Sequence, residues 1–287
     1  MNLILLTFGQ RLENHYQACF AILSFLKDPL IKRVVVITDR AEFYTFLGDK
    51  VSIFPINDQI LKEWQGEYQF FWRIKIKALE KIAQIYPEQD LLYIDSDTFL
   101  ATDLQGIQQK LASQQAIMHI NETHLGSGST KRLRNMCRVL NGKTLYGVSI
   151  NEQSQMWNAG VIGLPAKQAS QLIALSLQLC DEICATTCPR YLIEQFAFSL
   201  ALNHLNQLSS CEQSIGHYWG NKTEWNQLIC QFFVKTQLTQ TSLQDCIEQL
   251  AHFNWQQIPL SKKQRKTNQT LKKYIDNLFP AKHIRYF

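Results

Sequence analysis

The sequence predicts an α/β fold, a mixed but mostly parallel sheet flanked by helices. Three observations predict it. Short apolar runs alternate with helical periodicity from the first residues onward, the pattern of successive β-α-β units whose crossovers build a parallel sheet. The run Leu91–Ile94 is apolar throughout, as in a buried strand. It then ends abruptly in Asp95-Ser96-Asp97, and ligands of open α/β sheets bind beyond the carboxyl ends of the strands.

Taken in order, residues 2–8, 33–38 and 51–54 read as strands, separated by helical stretches at 12–26 and 41–47. A helix at 69–86 follows, with Ile74, Ala78, Ile82 and Ile85 along one stripe, and Pro87 leads from it into the fourth strand at 91–94. A strand at 116–120 precedes a long segment, 121–155, rich in Gly, Ser, Asn and Arg with weak periodicity, which reads as a loop or lid. Residues 157–164 read as another strand, 166–186 and 189–203 as helices, and the chain is less regular to about 220. There is no internal repeat and no low-complexity linker.

The chain has 287 residues, 46% hydrophobic and 18% charged, enough for one large domain with an appendage. The division expected is a main domain at 1–258 and a basic tail at 259–287. The net charge of +5 is uneven: residues 261–287 hold eight Lys or Arg against Asp276 alone, which leaves the body near −2. In the tail Leu271, Tyr274, Ile275, Leu278 and Phe279 fall at helical spacing beside Lys272 and Lys273. Such a segment fits either an anionic membrane surface or an ordinary solvated helix. The apolar stretch Leu3–Leu6 lacks a basic lead and is too short for a signal sequence or a span, so a cytoplasmic location is expected, with the tail as candidate contact to the inner membrane face. The eight cysteines read as free thiols, with Cys180, Cys184 and Cys188 as packing residues on one helix face.

Side chains alternate along an extended chain, so Asp95 and Asp97 can share one face at the strand tip and offer hard oxygen ligands to a divalent cation. The competing reading is a turn or helix start. Context comes from three other segments: Arg73 in the preceding helix, Trp157-Asn158-Ala159-Gly160-Val161 together with Glu194-Gln195, and the run from His217 through Gly220 and Lys222 to Trp225.

In order and approximate separation, these segments resemble the GT-A-fold glycosyltransferases, most nearly the retaining family 8 enzymes. The resemblance spans most of residues 1–225. It implies a metal-dependent hexosyltransferase that uses a nucleotide-diphosphate sugar, with UDP as the expected nucleotide. Asp95, Asp97 and His217 would be the metal ligands, for Mn²⁺ or Mg²⁺; imidazole with carboxylates suits Mn²⁺ better than Ca²⁺. Asn158 would orient a sugar, Gln195 would stand near the anomeric centre, and Glu194 would replace the family's Asp beside the transferred sugar. Arg73, with Lys77 second on the same helix face, would hold the nucleotide sugar, and Lys75 of the same stretch could also take that part. Thr7, Phe8 and Gly9 match the loop that receives the base, with Asp39 at the same sheet edge and Ser96 between the two acids. Phe8 could equally be core and Asp39 a helix cap. Gly220 and Lys222 would approach the diphosphate, although the family's lysine position is Thr223 here and its proline is Glu224.

The expected partners are the sugar donor and a saccharide, glycolipid or protein acceptor, in the context of bacterial cell-surface polysaccharide synthesis; no nucleic acid is expected. A D-x-D phosphatase of the haloacid-dehalogenase type is the enzymatic alternative, against which Phe99 and the motif's mid-chain position count. A sugar nucleotidyltransferase would need a Gly-rich basic phosphate loop that residues 5–14 do not supply. A GT-A-like scaffold that binds without catalysis is the third reading.

Overall fold

The computed structural model describes residues 1–205, 207–262 and 266–279, without the side chains of 266–270. Of the basic tail residues, Lys263, Arg265, Lys282 and Arg285 lie outside the described residues.

The first half runs β1 (Asn2–Leu6), α1 (Leu12–Phe25), β2 (Arg33–Thr38), β3 (Val51–Pro55), α2 (Asp58–Trp64), α3 (Arg73–Ile85), β4 (Leu91–Ile94), β5 (Thr98–Leu100), α4 (Gln105–Ala112) and β6 (Ala116–Met118). The second half runs β7 (Asn121–His124), α5 (Lys131–Leu140), β8 (Thr144–Leu145), β9 (Val148–Ser149), β10 (Gln155–Trp157), β11 (Val161–Leu164), α6 (Ala166–Ala185), α7 (Ile193–Leu205), β12 (Leu208–Ser209), β13 (Ile215–His217), α8 (Lys222–Leu238), α9 (Leu243–Ala251) and α10 (Lys266–Leu278).

Seven strands form the central sheet in the order β12-β6-β11-β4-β1-β2-β3, the α/β architecture expected. β3, β2, β1 and β4 are parallel, and β11 lies antiparallel between β4 and β6. Alternation along each strand divides the core. Ile4, Val35, Tyr93 and Ile162 face one hydrophobic layer, with α3, α6 and α7, while Leu3, Val34, Leu92 and Val161 face the other, with α1 and α4. Strands covered on both faces have no use for polar positions, which is why Leu91–Ile94 is continuously apolar.

The chain order reverses between β1 and β4, because β2 and β3 extend from one side of β1 and β4 lies on the other. Neighbouring crossovers diverge at such a point and leave a crevice beyond the strand ends. Beside it, β5 pairs antiparallel with β13, setting Thr98 opposite His217. An aromatic stack braces this pair: Phe99 lies 4.2 Å from Trp255 and 4.9 Å from Trp225, and Trp225 lies 4.7 Å from Tyr218, all nearly parallel. Gly216 is required there, since a β-carbon would stand 2.3 Å from the Phe99 ring.

Several elements depart from the sequence expectation. The stretch 41–50 is 3₁₀ rather than α, interrupted at Gly48 with φ +57°. The segment 121–155 is not one loop: it holds β7, β8, β9 and α5, whose start is capped by Thr130 accepting from the Leu133 N–H. Only Met136 and Leu140 of α5 are buried, too narrow a stripe to show as periodicity. The expected strand 157–164 is split by a bend at residues 158–160 into β10 and β11, which join different sheets. α2, α4, α8 and α9 were not anticipated. The tail is docked at its start, where Asn221 and Trp225 donate to the Pro259 carbonyl. The apolar stripe of α10 is exposed, with Leu278 and Phe279 at 66% and 76%. Among the described residues no helix is long and apolar enough to cross a membrane, and all eight cysteines are free.

Candidate metal and nucleotide-sugar site

Asp95 and Asp97 do not share a face of an extended strand. β4 ends at Ile94, and the two acids occupy the turn into β5, closed by Thr98 Oγ1 donating to the Asp95 carbonyl at 2.8 Å. The metal-ligand and turn readings of this motif are therefore compatible. His217 comes from β13 through its pairing with β5, and the Tyr218 N–H donates to the Asp97 carbonyl at 3.0 Å. Ligand atoms of Asp95, Asp97 and His217 all lie within 4.8 Å of one another. Two carboxylates and an imidazole at this separation fit a borderline or hard divalent cation.

The contact between the bend at residues 158–160 and His217 of β13 depends on Gly160. A β-carbon there would stand 2.2 Å from Cε1 of His217, so only glycine lets the ring lie over the bend. The Gly160 carbonyl accepts from the Asp95 N–H at 2.8 Å, tying the bend to the acidic turn. His217 Nε2 stands 3.5 Å from Asp97 Oδ1, and its Nδ1 lies 3.1 Å from Asn158 Oδ1.

Charge balance comes from two lysines. Lys75, on the buried face of α3, sits 3.2 Å from Asp95 and 2.9 Å from Glu194, and donates to the Ala159 carbonyl at 3.2 Å. Burial alone would lower its pKa; the charges of Asp95 and Glu194 outweigh this and hold it above the ordinary lysine value. Burial in turn pushes Glu194 upward, opposed by Lys75. Lys222, half exposed at the start of α8, lies 2.8 Å from Asp97 Oδ2. Burial would raise Asp97, but His217 and Lys222 beside it hold it well below the usual carboxylate range.

A cavity of about 240 Å³ opens at the crevice between β1 and β4. Thr7, Phe8, Ser96, Asp95, Asp97 and Lys222 line it, joined by Lys75, Tyr93 and the exposed rings of Phe71 and Trp72. Gly9 and Asp39 shape the loop behind it: the Gly9 N–H donates to both Asp39 oxygens at 3.0 and 3.3 Å. Gly9 has φ +83°, a conformation natural only to glycine.

Other expected residues are engaged elsewhere. Arg73 points away from the cavity, making a bidentate pair with Asp181 at 2.7 and 3.0 Å, because its face of α3 packs on α6. Lys77 pairs with Glu80 on the same helix. Gly220 serves the approach of Ser261, 2.7 Å from where its β-carbon would be. Glu194 is held beneath the turn by Lys75, while Asn158 and Gln195 flank the triad on the side of β7.

Four contributors were not foreseen. Lys75 was named only as an alternative to Arg73, and its role follows from the opposite helix face. Tyr93 donates to Asp95 Oδ1 at 2.8 Å; its position two residues before Asp95 was the available signal. Glu122 and His119 lie in or beside the segment read as a loop. The His119 ring stands edge-on to His217 at 5.3 Å, and burial, with the neighbouring His217, pushes its pKa down to about 4.

The Lys75 cluster makes a stability prediction. Lys75→Met leaves the Asp95 and Glu194 carboxylates without their buried partner and should cost about 3–5 kcal/mol in urea unfolding. A loss below about 1 kcal/mol would show that the pair does not brace the turn.

No family profile matches the chain, and no curated protein does. Among solved structures, the chain is similar to the galactosyltransferase LgtC in complex with donor and acceptor sugar analogues, at 13% identity over 73% of this chain and 73% of that one, TM-score 0.49. It is also similar to the apo form of mouse xyloside xylosyltransferase 1, at 12% identity over 74% of this chain and 85% of that one, TM-score 0.47.

Proposed function

We propose that the protein is a metal-dependent glycosyltransferase that moves a hexose from a nucleotide-diphosphate sugar, with UDP as the nucleotide, to a saccharide or lipid-linked acceptor with retention of configuration. The observation that carries this reading is the convergence of Asp95, Asp97 and His217 beside the cavity at the β1/β4 switch point. Asp95, Asp97 and His217 would hold Mn²⁺ or Mg²⁺, and the bound ion supplies positive charge to a departing diphosphate.

The chain's own groups divide the remaining work. Thr7 and Phe8, on the loop fixed by Asp39, receive the nucleoside end, and Ser96 lies between the two metal-binding acids. Lys222 is the mobile cation: its long stem lets it leave Asp97 and meet a phosphate oxygen when cation and donor bind. Lys75 keeps Asp95 and Glu194 in place. Gln195, with Glu194 behind it, faces the sugar side, and Phe71 and Trp72 line the mouth of the cavity.

The exposed apolar stripe of α10, next to Lys272 and Lys273, supports an acceptor presented at an anionic membrane surface. Removal of residues 266–287 should abolish co-sedimentation with anionic vesicles and spare donor hydrolysis; retained co-sedimentation would refute the membrane role.

The donor site is tested by thermal unfolding. Mn²⁺ with UDP should raise the Tm of the wild type but not of Asp97→Ala, and by linkage a ligand at about 100 times its Kd stabilises by about 2.7 kcal/mol. Absence of any wild-type shift would rule out the donor site and favour a binding scaffold or phosphatase.

A further inference from the structure

Glu122 on β7 is exposed, yet its carboxylate accepts from two side-chain amides. Asn158 Nδ2 lies 2.8 Å from Oε1, and Gln195 Nε2 lies 3.2 Å from Oε2. These contacts decide how both amides point. At Asn158 the opposite end faces the Gly160 N–H, which donates to Oδ1 at 2.9 Å. A carboxylate can only accept and a backbone N–H can only donate, so a flipped Asn158 would oppose acceptor to acceptor at Glu122 and donor to donor at Gly160. Gln195 is oriented in the same way, with its Oε1 toward the Ala159 N–H at 3.4 Å.

The orientation of Asn158 propagates to His217. Asn158 Oδ1 is an acceptor, and His217 Nδ1 stands 3.1 Å from it, closer than Nε2 stands to the Asp97 carboxylate at 3.5 Å, which assigns the proton to Nδ1. In the neutral ring the lone pair is then on Nε2, the nitrogen nearer Asp97. A histidine ligand is set by the hydrogen bond its other nitrogen makes.

We propose that Glu122 is a positioning residue that, through Asn158, fixes the Nδ1–H tautomer of His217 and leaves Nε2 free to bind a divalent cation. The same carboxylate holds the Gln195 amide, so one exposed acid aligns the metal side and the sugar side of the site. The tautomer rests on Nδ1 having the closer acceptor of the two that face the ring, while its use in metal binding rests on the metal-centre reading above.

Two measurements separate those parts. In metal-free ¹⁵N-labelled protein, at a pH where the His217 ring is neutral, long-range ¹H–¹⁵N correlation should show a pyrrole-type Nδ1 and a pyridine-type Nε2. The signal is assigned by its loss in His217→Gln. Glu122→Ala should shift His217 toward a mixed tautomer and weaken Mn²⁺ binding, titrated without donor, by about 10- to 100-fold. A wild-type ring protonated at Nε2 overturns the inference without reference to any variant. So does Glu122→Ala with an unchanged tautomer, whatever its Mn²⁺ affinity. A tautomer change in a protein that binds no Mn²⁺ even as wild type supports the positioning role and refutes the metal centre.

Discussion

Two carboxylates at a strand tip, with a third beneath them, can stay folded only if their charge is balanced from inside the protein. Lys75 supplies that balance. Its ammonium is buried between Asp95 and Glu194 and capped by the Ala159 carbonyl, so the turn after β4, the start of α7 and the bend before β11 share one cation. Burial of this kind is costly for each group alone and is tolerated because every charge has a close partner. Lys75 thereby leaves Asp97 as the acid whose partner can change. Among the described residues Lys222 pairs only with Asp97, and it is half exposed, so its departure would leave the buried pairs of Lys75 untouched.

Backbone space is the second constraint. His217 can reach the acidic turn because Gly160 lets the ring lie on the bend, and because Gly216 lets β13 pass the Phe99 ring. The Phe99–Trp225–Trp255 stack then fixes the β5–β13 pair from the far side. Residues distant in sequence are brought together by one antiparallel strand pairing.

Much of this arrangement was legible in the sequence. The apolar LLYI run, the β-α-β alternation and the D-x-D at a strand end are local signals, and they locate the switch point and two of the three residues of the candidate metal site. His217 was legible only through its neighbours Gly220 and Trp225, since a lone histidine carries no information about which strand it pairs with. The choice between Arg73 and Lys75 was not legible. Both lie on one amphipathic helix, and which face turns to the sheet depends on α6, whose Asp181 captures Arg73. Glu122 was hidden for a similar reason, because β7 pairs with β10 in a small separate sheet that only the folded chain reveals.

The central claim is that Asp95, Asp97 and His217 form one divalent-cation centre. Anomalous diffraction from crystals soaked in Mn²⁺ tests it most directly. A single manganese peak within coordination distance of both carboxylates and His217 Nε2 is the result expected. A peak elsewhere, or none at the triad under conditions that saturate other Mn²⁺ sites, would contradict it.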